Sequence, residues 1–294
     1  MKIGIIGAGS IGLLFAYYLQ KHHQVTIYTR TLEQKMSIAS NGLHLSENGH
    51  EYRAFVEARC IDDWHCKEDL TLITVKQYQL PKVMEKLESD CRGEEGSFLF
   101  LQNGMGHLKW INQLKAKNIF VGSVEHGALR ESMNHVMFTG KGKTKLAVFR
   151  GEAQLILEMI DPYKQGFPFV IEEDYYEMLI SKLIVNAVIN PLTAVLKVKN
   201  GELIENPHYN KVFIQVFEEI MKVLDVRNKS HYFDLLVSVC RNTATNRSSM
   251  LRDIEEKRQT EVDAILGYLL ELAHMKEKEA PLMSAFYHCV KGSE

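Results

Sequence analysis

Residues 2–12 read Lys2-Ile3-Gly4-Ile5-Ile6-Gly7-Ala8-Gly9-Ser10-Ile11-Gly12, and the reading of the fold starts there. A short apolar run passes straight into Gly-x-Gly-x-x-Gly, and Ile11–Gln20 has helical character. In a strand–turn–helix the first glycine allows the tight turn and the second lets the backbone approach a pyrophosphate. The third lets helix and strand pack closely. Phosphate then rests on the free N–H groups of the helix N-terminus. A glycine-rich turn alone is weak evidence. Here a second β-branched run, Val25–Tyr28, follows about 20 residues on, as a dinucleotide fold requires. Gly7, Ala8, Gly9, Ser10, Ile11 and Gly12 are therefore the candidate pyrophosphate cradle.

The end of that second run selects the cofactor. An NAD enzyme places Asp or Glu there to bind the ribose 2′-hydroxyl. This chain has Tyr28-Thr29-Arg30, with no carboxylate before Glu33. The planar fork of an arginine suits a 2′-phosphate. Arg30 therefore points to NADP(H).

Working outward, Leu70–Val75, Ser97–Leu101 and Ile119–Val121 read as further strands. Alternation with helical stretches predicts an α/β, Rossmann-type doubly wound domain with a mostly parallel sheet. Val136–Thr139 and Lys145–Phe149 read as a β-hairpin around Gly140–Thr144, with Lys141, Lys143 and Lys145 on a solvated turn and edge strand. Phe167–Ile171 reads as a last strand. From Asp174 onward helical periods dominate: Asp174–Val198, Asn206–Val226, Tyr232–Asn242 and Thr260–Lys276. The expected division is a nucleotide domain over 1–165 and a mostly α-helical substrate domain over 166–294.

Bulk properties exclude several classes. The 294 residues are long enough for two cores; 46% hydrophobic and 24% charged content is ordinary for a globular chain. A net charge of −2 gives no basic footprint for nucleic acid. Glycines interrupt the apolar start, so no secretory signal is read, and no run of 18 apolar residues suggests a membrane span. The five cysteines (Cys60, Cys66, Cys91, Cys240, Cys289) are odd in number and lack a C-x-x-C. They read as free thiols in a reducing, cytoplasmic setting, and their spacing gives no metal site.

The second half carries a polar stripe. Lys182, Asn186 and Asn190 are spaced by four on an otherwise apolar helical stretch, so they share one face. Buried without partners such groups are costly. An exposed polar face is the plain alternative, but it would be very narrow. Pro191 is expected to bend or end this helix.

Taken in order, the motifs resemble the ketopantoate reductase (2-dehydropantoate 2-reductase) family over essentially the whole chain. They are Gly7-Ala-Gly9-Ser-Ile-Gly12 with Arg30; Thr74-Val-Lys76-Gln-Tyr-Gln; Gln102-Asn103-Gly104-Met105-Gly106; Lys182 to Thr193 followed by Asn200-Gly-Glu-Leu; and Asn246-Arg-Ser-Ser249-Met with Thr260-Glu261-Val-Asp263. The resemblance implies hydride transfer from NADPH to the C2 ketone of ketopantoate, giving pantoate on the way to pantothenate and coenzyme A. It implies Lys182 as the general acid and Glu261 as the group that holds Lys182 or the substrate. Asn103 is implied beside nicotinamide and substrate, and Lys76 on the cofactor side. Asn186, Asn190, Asn200, Asn246 and Ser249 are implied as substrate-binding. Hydride arrival makes an alkoxide, and a cationic donor stabilises and protonates it. Neutral amides suit a hydroxylated substrate because they donate and accept.

Simpler roles stand beside these. Lys76 fits a solvated lysine after a strand, Asn103-Gly104 a turn, and Ser248 or Ser249 a helix N-cap. Thr260 with Asp263 fits a capping-box variant. Ser123-Val-Glu125-His126-Gly127 departs from the hydroxyl-rich family pattern, and Glu125, where it points inward, adds a negative charge near the expected cleft. Two other readings remain: a related reductase of another 2-keto acid, which 2-ketoisovalerate would reveal, and a non-catalytic NADPH sensor, which has no need of Lys182 with Glu261. A homodimer is left open.

Overall fold

The computed structural model describes residues 1–91, 96–163 and 166–294. Grouped by contacts, the chain forms two compact units: Met1–Gln102 with Leu108–Met178, and Asn103–His107 with Leu179–Glu294. The boundary expected at 165/166 involves Gln165, which lies outside the described residues; the grouping passes from one unit to the other later, within a single long helix.

The first unit is built on an eight-stranded sheet. Its strands are β1 (Lys2–Ile6), β2 (Gln24–Thr29), β5 (Glu57–Cys60), β6 (Leu70–Ile73), β7 (Ser97–Phe100), β8 (Asn118–Val124), β11 (Thr144–Arg150) and β12 (Phe169–Ile171). The order is β12-β11-β8-β7-β6-β1-β2-β5. From β5 to β8 every pairing is parallel; β11 runs antiparallel to β8. Ile5, Ile6, Leu70, Leu72, Phe98 and Phe100 are fully buried, as expected of a sheet covered on both faces. Helices α1 (Ser10–Leu19), α2 (Leu32–Asn41), α3 (Leu80–Asp90), the short α4 (Leu108–Ile111) and α5 (Gln154–Ile160) accompany it.

A second, four-stranded sheet belongs to the same unit: β4 (His50–Ala54), β3 (Leu43–Glu47), β10 (His135–Gly140) and β9 (Gly127–Arg130), in that order. α1 packs against β1 and β2 on one side and β3, β9 and β10 on the other. That is why Gly12 to Leu19 are all buried and the helix is apolar all round.

The expected hairpin does not form. β10 pairs with β9 and β3, whereas β11 pairs with β8 and β12. The linker is held across the end of β8: the Gly142 N–H donates to His126 Nδ1 at 3.2 Å and the Glu125 N–H to the Lys143 carbonyl at 2.9 Å. A Cβ at Gly142 would lie 2.3 Å from the Glu125 carbonyl oxygen, so only glycine passes there. Lys145 therefore sits on an interior strand, not a solvated edge, and meets Glu125 at 3.9 Å and Glu172 at 3.3 Å. The charge of Glu125 is thereby answered within this unit.

The cysteines need a second correction. Cys66 and Cys91 form a disulfide, their Cα atoms 5.6 Å apart; Cys60, Cys240 and Cys289 are free. Cys66 lies in a left-handed turn (φ 54°) before β6, and Cys91 ends α3. The fold brings together two residues whose spacing carries no motif.

The second unit is helical: α6 (Tyr175–Leu196, shared at its start with the first unit), α7 (Glu202–Glu205), α8 (Pro207–Leu224), α9 (Lys229–Asn242), α10 (Ser249–Glu255), a π-helical turn Asp263–Gly267, α11 (Tyr268–Met275) and α12 (Pro281–Ser293). α6 is long and apolar enough to span a membrane by length and composition, with an 18-residue window of mean hydropathy 1.7. Two thirds of that window (67%) is buried, which is the setting of a core helix. Pro191 does not end it. The Thr193 hydroxyl donates to the carbonyls of Ile189 (2.7 Å) and Asn190 (3.0 Å), and the helix runs on to Leu196.

Candidate active site

In the first unit the glycine turn is held from three directions. The Gly7 N–H donates to the Tyr28 carbonyl at 3.0 Å, tying β1 to β2. The Thr74 hydroxyl, just past β6, lies 3.1 Å from the Ile6 carbonyl and 2.8 Å from that of Gly7. The Gln34 amide donates to the Ala8 carbonyl at 2.8 Å. Gly7 has φ +113°, which disfavours any side chain. A Cβ at Gly12 would lie 1.8 Å from the Gly7 carbonyl oxygen, whereas a Cβ at Gly9 would meet nothing within 4 Å. Gly12 therefore serves close packing, and Gly9 leaves open space beside the helix start.

That helix start suits an anion. Gly9 is the N-cap of α1, no side chain caps it, and its first turn holds no acidic residue. The leading N–H groups and the positive end of the helix dipole are left to a ligand. Ser10 and Ile11 follow, partly exposed. This donor set fits the pyrophosphate of a dinucleotide.

Arg30 is exposed in a tight turn at the carboxyl end of β2. The Thr29 hydroxyl donates to the Thr31 carbonyl at 2.9 Å, and Thr31 caps α2 by accepting the Gln34 N–H. The backbone on both sides of Arg30 is thus fixed. Lys76, partly buried, follows β6, the parallel neighbour of β1. The glycine turn, Arg30 and Lys76 stand at the carboxyl ends of three adjacent strands, where open α/β sheets bind ligands.

In the second unit, Lys182 and Asn186 are half-buried on α6 and Asn190 is 7% exposed, so the stripe sinks inward along the helix. The Asn103 amide donates to Glu261 Oε2 at 2.9 Å, joining residues 158 positions apart. Gly104 makes this approach possible: its φ is +77°, and a Cβ there would lie 2.1 Å from the Ala264 carbonyl oxygen. Asn103-Gly104 is a turn, and one docked on the start of the π-helical turn.

The remaining residues divide. The Asn200 amide donates to Thr243 Oγ1 at 2.8 Å, and its backbone N–H to the Asn246 carbonyl at 3.1 Å; Asn200 is 7% exposed. Asn200 thus fastens two turns together. Asn246 and Ser249 are exposed. Ser248, not Ser249, is the N-cap of α10: its Oγ accepts the Leu251 N–H at 3.1 Å and lies 2.7 Å from Thr193 Oγ1. Sequence reasoning missed Gln34, which has no motif, and the partners of Thr260 described below.

A parallel sheet with this glycine turn, followed in the chain by a helical unit bearing a lysine, amides and a carboxylate, defines an oxidoreductase dependent on a nicotinamide dinucleotide. Residues 3–151 match the family described as ketopantoate reductase PanE/ApbA, and residues 174–294 match its C-terminal counterpart. The chain belongs to the ketopantoate reductase family. It is 44% identical to the 2-dehydropantoate 2-reductase of Bacillus subtilis strain 168, covering 100% of this chain and 98% of that one. It is 37% identical to the enzyme of the same name from Listeria monocytogenes, covering 100% and 97%. The crystal structure of a probable 2-dehydropantoate 2-reductase from Bacillus subtilis superposes with a TM-score of 0.91 at 43% identity, covering all of both chains.

Proposed function

We propose that this chain reduces the C2 ketone of 2-dehydropantoate to pantoate with NADPH. The whole-chain identity of 44% to a 2-dehydropantoate 2-reductase carries the reading. In it, residues 1–165 hold the nucleotide and 166–294 supply the chemistry. When bound, the reduced nicotinamide supplies the hydride that reaches C2.

The residues of the chain do the rest. The N–H groups at Gly9–Gly12 hold the pyrophosphate, and Arg30 and Lys76 answer the remaining negative charge of the nucleotide. Lys182 Nζ gives its proton to the oxygen that gains charge as the C=O bond is reduced, which both stabilises that charge and completes the alcohol. Glu261 and Asn103 act as the hydrogen-bonded pair already formed, and in this reading Asn103 works beside substrate and nicotinamide. Asn186, Asn190, Asn246 and Ser249 bind the hydroxyl and carboxylate of the substrate, with Asn200 a further polar residue of the pocket. The reading includes a cytoplasmic enzyme.

Lys182→Ala tests the proton donor. Loss of a general acid typically costs about 10²–10⁴ in rate, so kcat is expected to fall by that order while NADPH still binds. Unchanged turnover refutes the role. Comparing kcat/KM for 2-dehydropantoate and 2-ketoisovalerate tests the substrate, since a pocket built for the hydroxyl rejects the analogue lacking it. Equal values favour a broader 2-keto acid reductase.

A further inference from the structure

The sequence pairs Thr260 with Asp263 in a capping box, but only half of that box forms. Thr260 Oγ1 accepts the Val262 N–H at 3.2 Å. Asp263 faces elsewhere: its two oxygens accept the Tyr287 hydroxyl at 2.6 Å and Lys291 Nζ at 3.2 Å. The acid that reaches back to the Thr260 N–H is Glu294, at the end of α12. Its Oε1 accepts that N–H at 3.0 Å and the Thr260 hydroxyl at 2.6 Å; its Oε2 accepts Lys291 Nζ at 2.8 Å. Thr260 is 1% exposed and the Glu294 side chain 13%. Burial pushes the Glu294 carboxyl up, but the hydrogen bonds from Lys291 and Thr260 outweigh it and hold the group below its ordinary value. It is a carboxylate at neutral pH.

The segment so anchored is the one that bears Glu261. The Glu261 carbonyl accepts the N–H groups of Ala264 (3.0 Å) and Ile265 (3.2 Å) and leads into the π-helical turn. π-turns are rare and frequently occur at functional sites. Thr260 and Asp263, on either side of Glu261, are both tied to α12, and Glu261 itself holds Asn103.

We infer that Glu294 is a positioning residue for the reduction: with Lys291 and Tyr287 it fixes the backbone at Thr260–Asp263 so that the Glu261 carboxylate stays on the Asn103 amide. The inference rests on the reading of Glu261 as part of the active site. Glu294 itself lies outside the reacting atoms and acts through Thr260. Without it, a buried N–H and a buried hydroxyl lose their acceptor.

The test uses the full chain with Glu294→Ala, Glu294→Gln, Thr260→Val and Glu261→Gln, measuring kcat, KM for 2-dehydropantoate and Kd for NADPH. Gln keeps an acceptor oxygen toward Thr260. Small misplacements of catalytic groups cost up to about a hundredfold, so E294A is expected to lose about tenfold in kcat/KM. NADPH affinity should stay within about twofold, and E294Q should recover to within about threefold of wild type. T260V, nearly isosteric, should fall in the same direction as E294A and keeps the test open if E294A does not fold. Wild-type kcat/KM in E294A or T260V overturns the inference. So do equal losses in E294A and E294Q with weakened NADPH binding, which mark a merely structural contact. A crippled E261Q beside a fully active E294A overturns this inference alone, whereas an unimpaired E261Q overturns the reading of Glu261 and this inference with it.

Discussion

In the proposed reading Arg30 selects NADPH, and its surroundings support that role. Thr29 and Thr31 pin the turn that bears it, and nothing acidic precedes Glu33 in that turn to repel a phosphate. Charge-assisted hydrogen bonds are each worth about 1.5–3 kcal/mol. Arg30→Ala is therefore expected to weaken NADPH roughly 10- to 100-fold and to leave NADH nearly unchanged. Equal effects on both, measured as Kd by fluorescence, would remove Arg30 from the 2′-phosphate. Residue types of this kind were legible in the sequence because the chemistry demands them. The glycines, Arg30 and the lysine–asparagine stripe were candidates there on that ground. Gln34 and Glu294 were not. Each acts by reaching a backbone group far away in sequence, and an amide or a carboxylate on a helix announces no such errand.

At the scale of elements, spacing succeeded where burial imposes a strong period and failed where it does not. β1, β2, β6, β7 and β8 are short, almost wholly buried runs rich in Ile, Val, Leu and Phe, α6 is a long, largely apolar helix and α8 a long amphipathic one. β4 is different: four of its five residues are exposed, so no alternation marks it. One cue was present, the Asn48-Gly49 pair, both with positive φ, which is the signature of a tight hairpin turn between β3 and β4. Pro281 likewise opens α12 in the first-turn position that suits proline. The false hairpin arose because local turn residues say nothing about which sheet a strand joins. The Asn103-Gly104 turn belongs to this scale too. Gly104→Ala forces a side chain into φ +77° and against the Ala264 carbonyl. Such strain costs on the order of 1–3 kcal/mol. The expected result is a lower thermal midpoint together with a loss of kcat beyond that seen in Asn103→Ala. A G104A enzyme with normal stability and turnover would show that the loop does not need this close approach.

Across the whole molecule, one buried group sets a limit on acid stability. His107 is 0% exposed, and neither ring nitrogen has a hydrogen-bond partner among the described residues. Burial pushes it down from 6.5 to about 4. Between those values the unfolded chain takes up a proton that the folded chain refuses. Stability from this group is complete above about pH 6.5 and is lost as pH falls toward about 4, by up to about 3 kcal/mol. Urea midpoints for wild type should therefore drop across that window, and His107→Leu should drop less steeply; parallel curves would contradict this. The larger account, a dinucleotide-binding sheet followed by a helical unit that delivers a proton, stands or falls on activity. The direct measurement is the rate of NADPH oxidation by the purified chain with 2-dehydropantoate, repeated with NADH. The account predicts saturable turnover that falls at least about tenfold in kcat/KM when NADH replaces NADPH. No oxidation of either cofactor with this substrate would contradict it.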